Sequence, residues 1–124
     1  MPPAPDTPLA LLISRDLFFT SKVSGAAEAL GIKLTVVGDA ATAARVAGEG
    51  NCRCVFIDLA DAGLDVSAYF RHADREKTPP VIAFGSHVAT ARLQEARDAG
   101  CTHVMPRSRF SATLPELLKQ YCQT

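Results

Sequence analysis

The sequence has little of what binding to nucleic acid or to a membrane would require. Lysine and arginine together number 13, as do aspartate and glutamate, so no net charge favours an anionic partner. The apolar run near the N-terminus, Leu9 to Ile13, is far shorter than the roughly 18 residues of a membrane span. We therefore expect a cytoplasmic protein that binds neither nucleic acid nor a membrane.

Cysteine is also scarce, with four residues in the chain. Cys52, Cys54, Cys101 and Cys122 lack the spacing of a disulfide framework, so free thiols are expected. The spacing of Cys52 and Cys54 predicts side chains on one face of a strand, but no histidine stands at zinc-ligand spacing. Cys101 precedes Arg107 at the spacing of a phosphatase loop. The residues between them suggest a strand, which disfavours that interpretation.

What the sequence does contain is enough apolar material for one domain. Its 124 residues are 48% hydrophobic and 21% charged, the composition of a globular protein. Residues 1–8 carry four prolines and no basic residue, which predicts an extended arm and not a secretory signal. Residues 9–124 are expected to form a single domain.

Strand-like and helix-like segments alternate strictly after the arm. The predicted strands are Leu9–Ser14, Lys33–Val37, Arg53–Asp58, Val81–Phe84 and Thr102–Met105. The predicted helices are Asp16–Leu30, Ala40–Ala47, Asp65–Ala73, a segment from a cap at Ser86 to Ala99, and a last helix striped by Leu114, Leu117, Leu118 and Tyr121. This alternation predicts an α/β fold, a doubly wound parallel sheet of five strands in the flavodoxin-like order 2-1-3-4-5, between two layers of helices.

Candidate site residues follow from this topology, because ligands of such sheets collect beyond the carboxyl ends of the strands. The residues predicted at that edge are Ser14, Arg15, Asp16, Asp58, Gly85, Ser86 and Arg107. None forms a recognisable catalytic set or metal cluster. We therefore expect neither an enzyme nor a bound cofactor.

Several short motifs stand in a familiar order along the chain. Asp58 ends a buried strand, Gly63-Leu64-Asp65 follows, and further on come Pro80-Val81-Ile82-Ala83-Phe84, Ala99-Gly100-Cys101 and Arg107. In this order the chain resembles, from Leu9 to Cys122, the CheY-like receiver domain of bacterial response regulators. The resemblance implies that Asp58 corresponds to the phosphoacceptor aspartate and Arg107 to the invariant lysine of that family.

The chain departs from the receiver pattern at the positions that matter most for phosphorylation. Receivers hold Mg²⁺ with an acidic pair after strand one, where this chain has Ser14 and Arg15 and only the adjacent Asp16 remains acidic. The hydroxyl residue of strand four is replaced by Gly85, with Ser86 one position on. Val104 replaces the aromatic residue of strand five. The proline after the lysine is Ser108, which predicts a trans bond after Arg107.

Three interpretations of Asp58 stay open at this point: a phosphoryl acceptor, a carboxylate paired with Arg15 or Arg107, and an ordinary acid at a strand end. The departures favour a stand-alone pseudo-receiver that acts by protein-protein interaction without Mg²⁺-dependent phosphorylation. The alternative is a functional two-component receiver that a histidine kinase phosphorylates on Asp58. A flavin carrier is disfavoured because the first loop lacks a phosphate-binding sequence and the chain has no tryptophan.

The expected partner is a protein, either a sensor kinase, a downstream target or a second copy of the chain. Phe18 and Phe19 together exceed what one helical stripe can bury. We therefore predict that Phe18, or the face of the last helix with Leu114, Leu118 and Tyr121, contributes to docking or self-association.

Overall fold

Five strands alternate with five helices in the computed structural model, which describes residues 7–49, 51–61 and 63–122. The first six residues of the predicted arm lie outside the described residues. The elements are β1 (Leu9–Ile13), α1 (Leu17–Ala29), β2 (Lys33–Val37), α2 (Ala40–Ala47), β3 (Cys52–Asp58), α3 (Val66–His72), β4 (Val81–Gly85), α4 (Thr90–Ala99), β5 (His103–Pro106) and α5 (Arg107–Cys122).

The strands form one sheet in the order β2-β1-β3-β4-β5. All neighbouring strands are parallel, so the predicted fold class and strand order are confirmed. Asp58 is in register with Phe84, and Gly85 is in register with Pro106. The carboxyl ends of β1, β3, β4 and β5 therefore meet at one edge of the sheet, which is where the candidate residues lie.

Aspartates begin the first three helices. Asp16, Asp39 and Asp65 each accept backbone N–H hydrogen bonds from the first turn of α1, α2 and α3. Hydrogen bonds from Thr42 lower the pKa of Asp39 below its ordinary value. α4 differs, since it begins at Thr90 after Ala89 and has no side-chain cap, so the prediction of a cap at Ser86 is wrong. Residues 86–89 form a turn before the helix instead.

The two faces of the sheet bury different side chains. α2, α3 and α4 cover one face with alanines and aliphatic residues, together with Tyr69 and Phe70. α1 and α5 cover the other face, which is built around the four aromatic rings of Phe19, Phe56, Phe84 and Phe110. Leu114 and Leu118 belong to this second core and are buried, so the prediction that they form a docking face is wrong.

A register shift at the start of β3 separates two cysteines that the sequence places on one face. Cys52 pairs with Leu9 and Cys54 with the next residue, Ala10, so Arg53 is skipped in the pairing. As a result Cys52 packs against the α2–α4 core, whereas Cys54 lies in the α1–α5 core. The prediction that both thiols share one face is wrong, because a bulge breaks the alternation of side chains along a strand.

None of the helices that the structure describes combines the length and the apolar character needed to span a bilayer.

Candidate functional site

Asp58, the last residue of β3, is a buried carboxylate with protein partners on both oxygens. Oδ2 accepts a hydrogen bond from Ser14 Oγ at 2.8 Å. Oδ1 accepts one from the backbone N–H of Ala60 at 2.9 Å and another from Arg107 Nη2 at 2.7 Å. With 2% of its surface exposed, the residue is one of two buried polar or charged residues among those described, the other being Ser14. Its negative charge is thus compensated inside the domain.

Ser14 reaches Asp58 because it directly follows β1, which lies next to β3 in the sheet. Its backbone N–H continues the pairing with β2 by donating to the carbonyl of Val37. Its hydroxyl donates to Asp58 and accepts a hydrogen bond from the N–H of Asp16 at 3.1 Å. A serine hydroxyl supplies one proton and two lone pairs, so both roles are met without conflict.

Arg107 is the first residue of α5, directly after the end of β5. Its side chain is 29% exposed, and its guanidinium carbon lies 4.9 Å from the ring centroid of Phe19 and 5.4 Å from that of Phe84. Aromatic faces attract a guanidinium and restrict its rotation, which holds Nη2 of Arg107 against Asp58. The described residues contain no cis peptide bond, so the predicted trans bond after Arg107 is confirmed.

Three aromatic rings pack together beside this arginine. The rings of Phe84 and Phe110 are nearly parallel at 4.1 Å between centroids, and Phe19 lies 4.9 Å from Phe84. All three side chains are buried. Sequence analysis did not single out Phe110, and which of the three rings contacts Arg107 depends on how α1 and α5 pack on the sheet.

Arg15 does not take part in the Asp58 cluster. Its Nε lies 3.6 Å from Asp61 Oδ2, and its side chain is 74% exposed. Of the two guanidiniums proposed as partners of Asp58, the structure therefore selects Arg107. Asp16 is also engaged elsewhere, because its Oδ1 accepts from the N–H groups of Phe18 and Phe19 as the cap of α1.

The side chain of Leu59 packs closely against Gly85, the last residue of β4. A Cβ added at Gly85 would stand 3.1 Å from the Cβ of Leu59, a contact tighter than ordinary packing. Leu59 is buried and directly follows Asp58. Ser86 lies one residue further on, exposed, where its hydroxyl accepts the N–H of Val88 at 3.4 Å and makes no contact with Asp58. The hydroxyl of Ser86 therefore does not stand in for the one that receivers carry in strand four.

Arg92 of α4 is a residue of this region that the sequence did not reveal. Its guanidinium donates to three backbone carbonyls in the loop after β3, those of Leu59, Asp61 and Leu64. This loop begins one residue after Asp58. Arg92 thereby connects α4 to the loop that supplies the Ala60 N–H. In the sequence Arg92 would be expected to pair with Glu95, three positions on, which gives no signal that it binds backbone carbonyls of another loop.

The residues at this edge do not suit the Mg²⁺ ion that the resemblance implies. Mg²⁺ requires several oxygen ligands in octahedral geometry, usually including carboxylates. Both oxygens of Asp58 are engaged by hydrogen-bond donors, Asp16 is engaged as a helix cap, and the second acidic position is occupied by the cation Arg15. Within the described ranges no three histidine, cysteine or acidic side chains converge as a metal site.

Cys101 and Arg107 do not form a phosphate loop. Cys101 is half-buried and packs against the α2–α4 core, while Arg107 is paired with Asp58 near the opposite core. Burial raises the pKa of the Cys101 thiol to about 12, which disfavours the nucleophilic thiolate. His87, which follows Ser86, is exposed and takes no part in the cluster.

Three large apolar side chains near the starts of α1 and α4 are strongly exposed. Leu17 and Phe18, the first two residues of α1, are 82% and 92% exposed, and Val88 in the turn before α4 is 72% exposed. Large apolar side chains at such exposure are characteristic of contact surfaces when they occur together. Sequence analysis singled out Phe18 and missed Leu17 and Val88.

Comparison with solved structures shows that the fold is that of receiver domains. The receiver domain of the sensor histidine kinase PA1611 from Pseudomonas aeruginosa, with magnesium in its active-site cleft, superposes with a TM-score of 0.75 at 19% identity, covering 93% of this chain and 97% of that one. The chemotaxis regulator CheY4 of Vibrio cholerae gives 0.71 at 17% identity, covering 93% and 98%.

A third similar structure is a complex. The receiver domain of Ssk1 from Saccharomyces cerevisiae, solved with the histidine phosphotransfer protein Ypd1, gives a TM-score of 0.75 at 12% identity, covering 94% of this chain and 90% of that one. By sequence, no protein-family model and no curated protein matches the chain. The chain thus shares the receiver fold at low sequence identity.

Proposed function

We propose that the chain is a receiver-like signalling domain that acts through protein contacts and does not depend on Mg²⁺-dependent phosphorylation. The observation that carries this proposal is the pairing of Asp58 with Ser14, Ala60 and Arg107. The fold supports a receiver-like role, and the occupied carboxylate supports the absence of the phosphorylation step. No residue is assigned a catalytic role.

The electrostatic argument is as follows. Phosphoryl transfer onto a carboxylate requires a free oxygen as nucleophile and cations to neutralise the transferred group. A paired guanidinium favours the unreacted carboxylate, because the ion pair and its hydrogen bonds must be broken before an oxygen can attack. Burial of Asp58 adds to this cost, since the carboxylate must be uncovered before a phosphodonor can reach it.

The proposed partner is a histidine-phosphotransfer or kinase-type protein that docks on Leu17 and Phe18 without transferring its phosphoryl group. The exposed side chains lie at the start of α1, three and four residues after Ser14, which contacts Asp58. The Ssk1 receiver is a structural neighbour solved with such a partner. A domain that binds the partner and leaves its phosphoryl group in place would act as a competitor of phosphorylatable receivers.

Phosphorylation is tested with acetyl phosphate and millimolar Mg²⁺, followed by intact-protein mass spectrometry. We expect no stable phosphoryl adduct on the wild type. The matched variant is Arg107→Ala, which removes the guanidinium from Oδ1 of Asp58 and leaves the Ala60 N–H as the donor to that oxygen. An adduct that forms on the wild type and is absent from Asp58→Asn would replace this proposal with the alternative, a two-component receiver phosphorylated on Asp58.

Docking is tested by titrating the protein with purified histidine-phosphotransfer proteins from the same genome, using calorimetry. We expect binding that Leu17→Ser with Phe18→Ser weakens by at least about tenfold, and that Asp58→Asn leaves unchanged. Val36→Ser, on β2, is the control for loss of an exposed apolar side chain. Self-association that the same double substitution abolishes would assign the surface to a second copy and contradict the proposed partner.

A further inference from the structure

Two thiols meet in the core on the far side of the sheet from Cys52. The sulfur of Cys54, on β3, lies 3.2 Å from that of Cys122, on the last described turn of α5, and 68 positions of sequence separate them. Cys54 is fully buried and Cys122 is 3% exposed. A disulfide has sulfurs about 2.05 Å apart, so roughly 1 Å of movement separates the contact from a bond.

The surroundings of the two sulfurs distinguish their roles. Cys54 lies among apolar side chains, and its hydrogen bond with Cys122 together with its burial raises the pKa of Cys54. The same hydrogen bond lowers the pKa of Cys122, and the neighbouring Arg53 contributes in the same direction. Cys122 stands at the end of α5 whereas Cys54 lies within β3, so Cys122 is the thiol that a peroxide reaches first, and its lowered pKa favours the reactive thiolate.

We propose that Cys54 and Cys122 form a redox-active dithiol, which a peroxide converts to an intramolecular disulfide that ties the end of α5 to β3. The proposal is independent of the proposed function, because the pair takes no part in the Asp58 cluster. It assigns a modification site to the α1–α5 core.

The chemistry balances in two steps. The Cys122 thiolate attacks one oxygen of hydrogen peroxide, the O–O bond breaks, and after proton uptake the products are a sulfenic acid and water. The Cys54 thiol then loses its proton and its sulfur attacks the Cys122 sulfur, which releases the sulfenic hydroxyl as a second water. Two thiols are oxidised by two electrons, and one peroxide is reduced.

Access of peroxide to Cys122 follows from its place in the helix. The last turn of a helix lacks intrahelical partners for its carbonyls and opens more readily than the interior. Cys122 lies in this turn, so opening of a single turn exposes its sulfur without unfolding the core. Cys52 and Cys101 both pack against the α2–α4 core and offer no comparable pair, because the one contact between sulfurs among the described residues is that of Cys54 with Cys122.

Tryptic mapping tests the pairing directly, because trypsin places the four cysteines on separate peptides: 46–53, 54–71, 98–107 and 120–124. After treatment of the folded wild type with hydrogen peroxide, we expect a cross-link between peptides 54–71 and 120–124 that dithiothreitol reverses. The oxidised protein should also unfold at a higher urea concentration than the reduced protein, because the bond closes a long loop.

Variants separate this pair from the other thiols. Cys52→Ser with Cys101→Ser retains only the proposed pair and should form the same cross-link at a similar rate. Cys54→Ala should form no cross-link and should accumulate sulfenic acid on Cys122, detectable with a dimedone probe. Four free thiols after peroxide treatment of the wild type, or cross-links that involve Cys52 or Cys101 in their place, would overturn the proposal.

Discussion

The end of β3 and the start of α1 lie at the same edge of the sheet, yet the first buries a charged side chain and the second exposes an apolar one. Asp58, a charged residue, is 2% exposed and has partners on both oxygens. Phe18, an apolar residue, is 92% exposed. Burial of a charge and exposure of a phenyl ring both cost free energy unless partners compensate them.

The difference in burial shows that the domain itself supplies the partners of the carboxylate and leaves the apolar side chains open to a partner protein. Ser14 and Arg107 donate hydrogen bonds to the two carboxylate oxygens of Asp58, so this carboxylate has its partners within the chain. Nothing within the described part of the chain covers Leu17 and Phe18 to a comparable extent. The expected site of regulation therefore shifts from the carboxylate at the centre to the apolar surface beside it.

The largest expected effect on stability comes from removing the guanidinium of Arg107, which pairs with Asp58. Arg107→Ala leaves Asp58 buried with Ser14 and Ala60 as its remaining donors. We expect it to lower the free energy of unfolding by about 2–3 kcal/mol, measured by urea denaturation. Arg15→Ala is the matched control, because its pair with Asp61 is largely exposed; we expect a change within about 0.5 kcal/mol.

A double variant sharpens this comparison. Asp58→Asn alone should cost about 1.5–3 kcal/mol, the value of a partly buried charge-assisted pair. Combined with Arg107→Ala, the cost should be clearly less than the sum, because each substitution removes the same interaction. Equal losses for Arg107→Ala and Arg15→Ala would show that the Asp58 pair contributes no more than an exposed one.

An intermediate effect is expected at the end of β4. Gly85→Ala places a Cβ 3.1 Å from that of Leu59, so the buried leucine must move. We expect a loss of about 1–2 kcal/mol in the free energy of unfolding. In a background of Leu59→Gly the same substitution should cost little, since the Cβ that the new methyl group meets is gone. An equal cost in both backgrounds would contradict the steric explanation.

The smallest effect on stability is expected at the exposed surface. Phe18→Ser should change the free energy of unfolding by no more than about 0.5 kcal/mol, since the ring is almost entirely in solvent. Phe19→Ser, one residue along the same helix, should cost several times more, because that ring is buried against Phe84 and supports Arg107. Similar losses at the two positions would indicate that Phe18 is covered by the domain itself.

The sequence predicts the layers of this molecule well because its periodicity is strong. Val55, Phe56 and Ile57 are consecutive apolar residues of β3, and all three are buried between two helical layers. In α1 the stripe of Phe19, Val23 and Ala27 faces the core as its spacing predicts. The start of α4 was predicted three residues too early because Ser86 is a typical cap residue, although its hydroxyl accepts a hydrogen bond within a turn.

The candidate site could be located from the sequence but its pairing could not. Strand ends in a parallel sheet converge, so Ser14, Asp58 and Arg107 were predicted at one edge. Which arginine reaches the carboxylate depends on the direction of two side chains, and that direction is set by Phe19 and Phe84 on other elements. Linear spacing contains no information about this choice.

By itself, the sequence determined the α/β alternation, the strand order and the set of residues at the carboxyl edge, because hydrophobic periodicity and chain connectivity act locally. Only the tertiary structure decided that Asp58 pairs with Arg107 and that Cys54 meets Cys122. The first depends on how the rings of Phe19 and Phe84 lie against Arg107, and the second on how α5 packs against β3. Both are contacts between distant segments, which packing alone brings together.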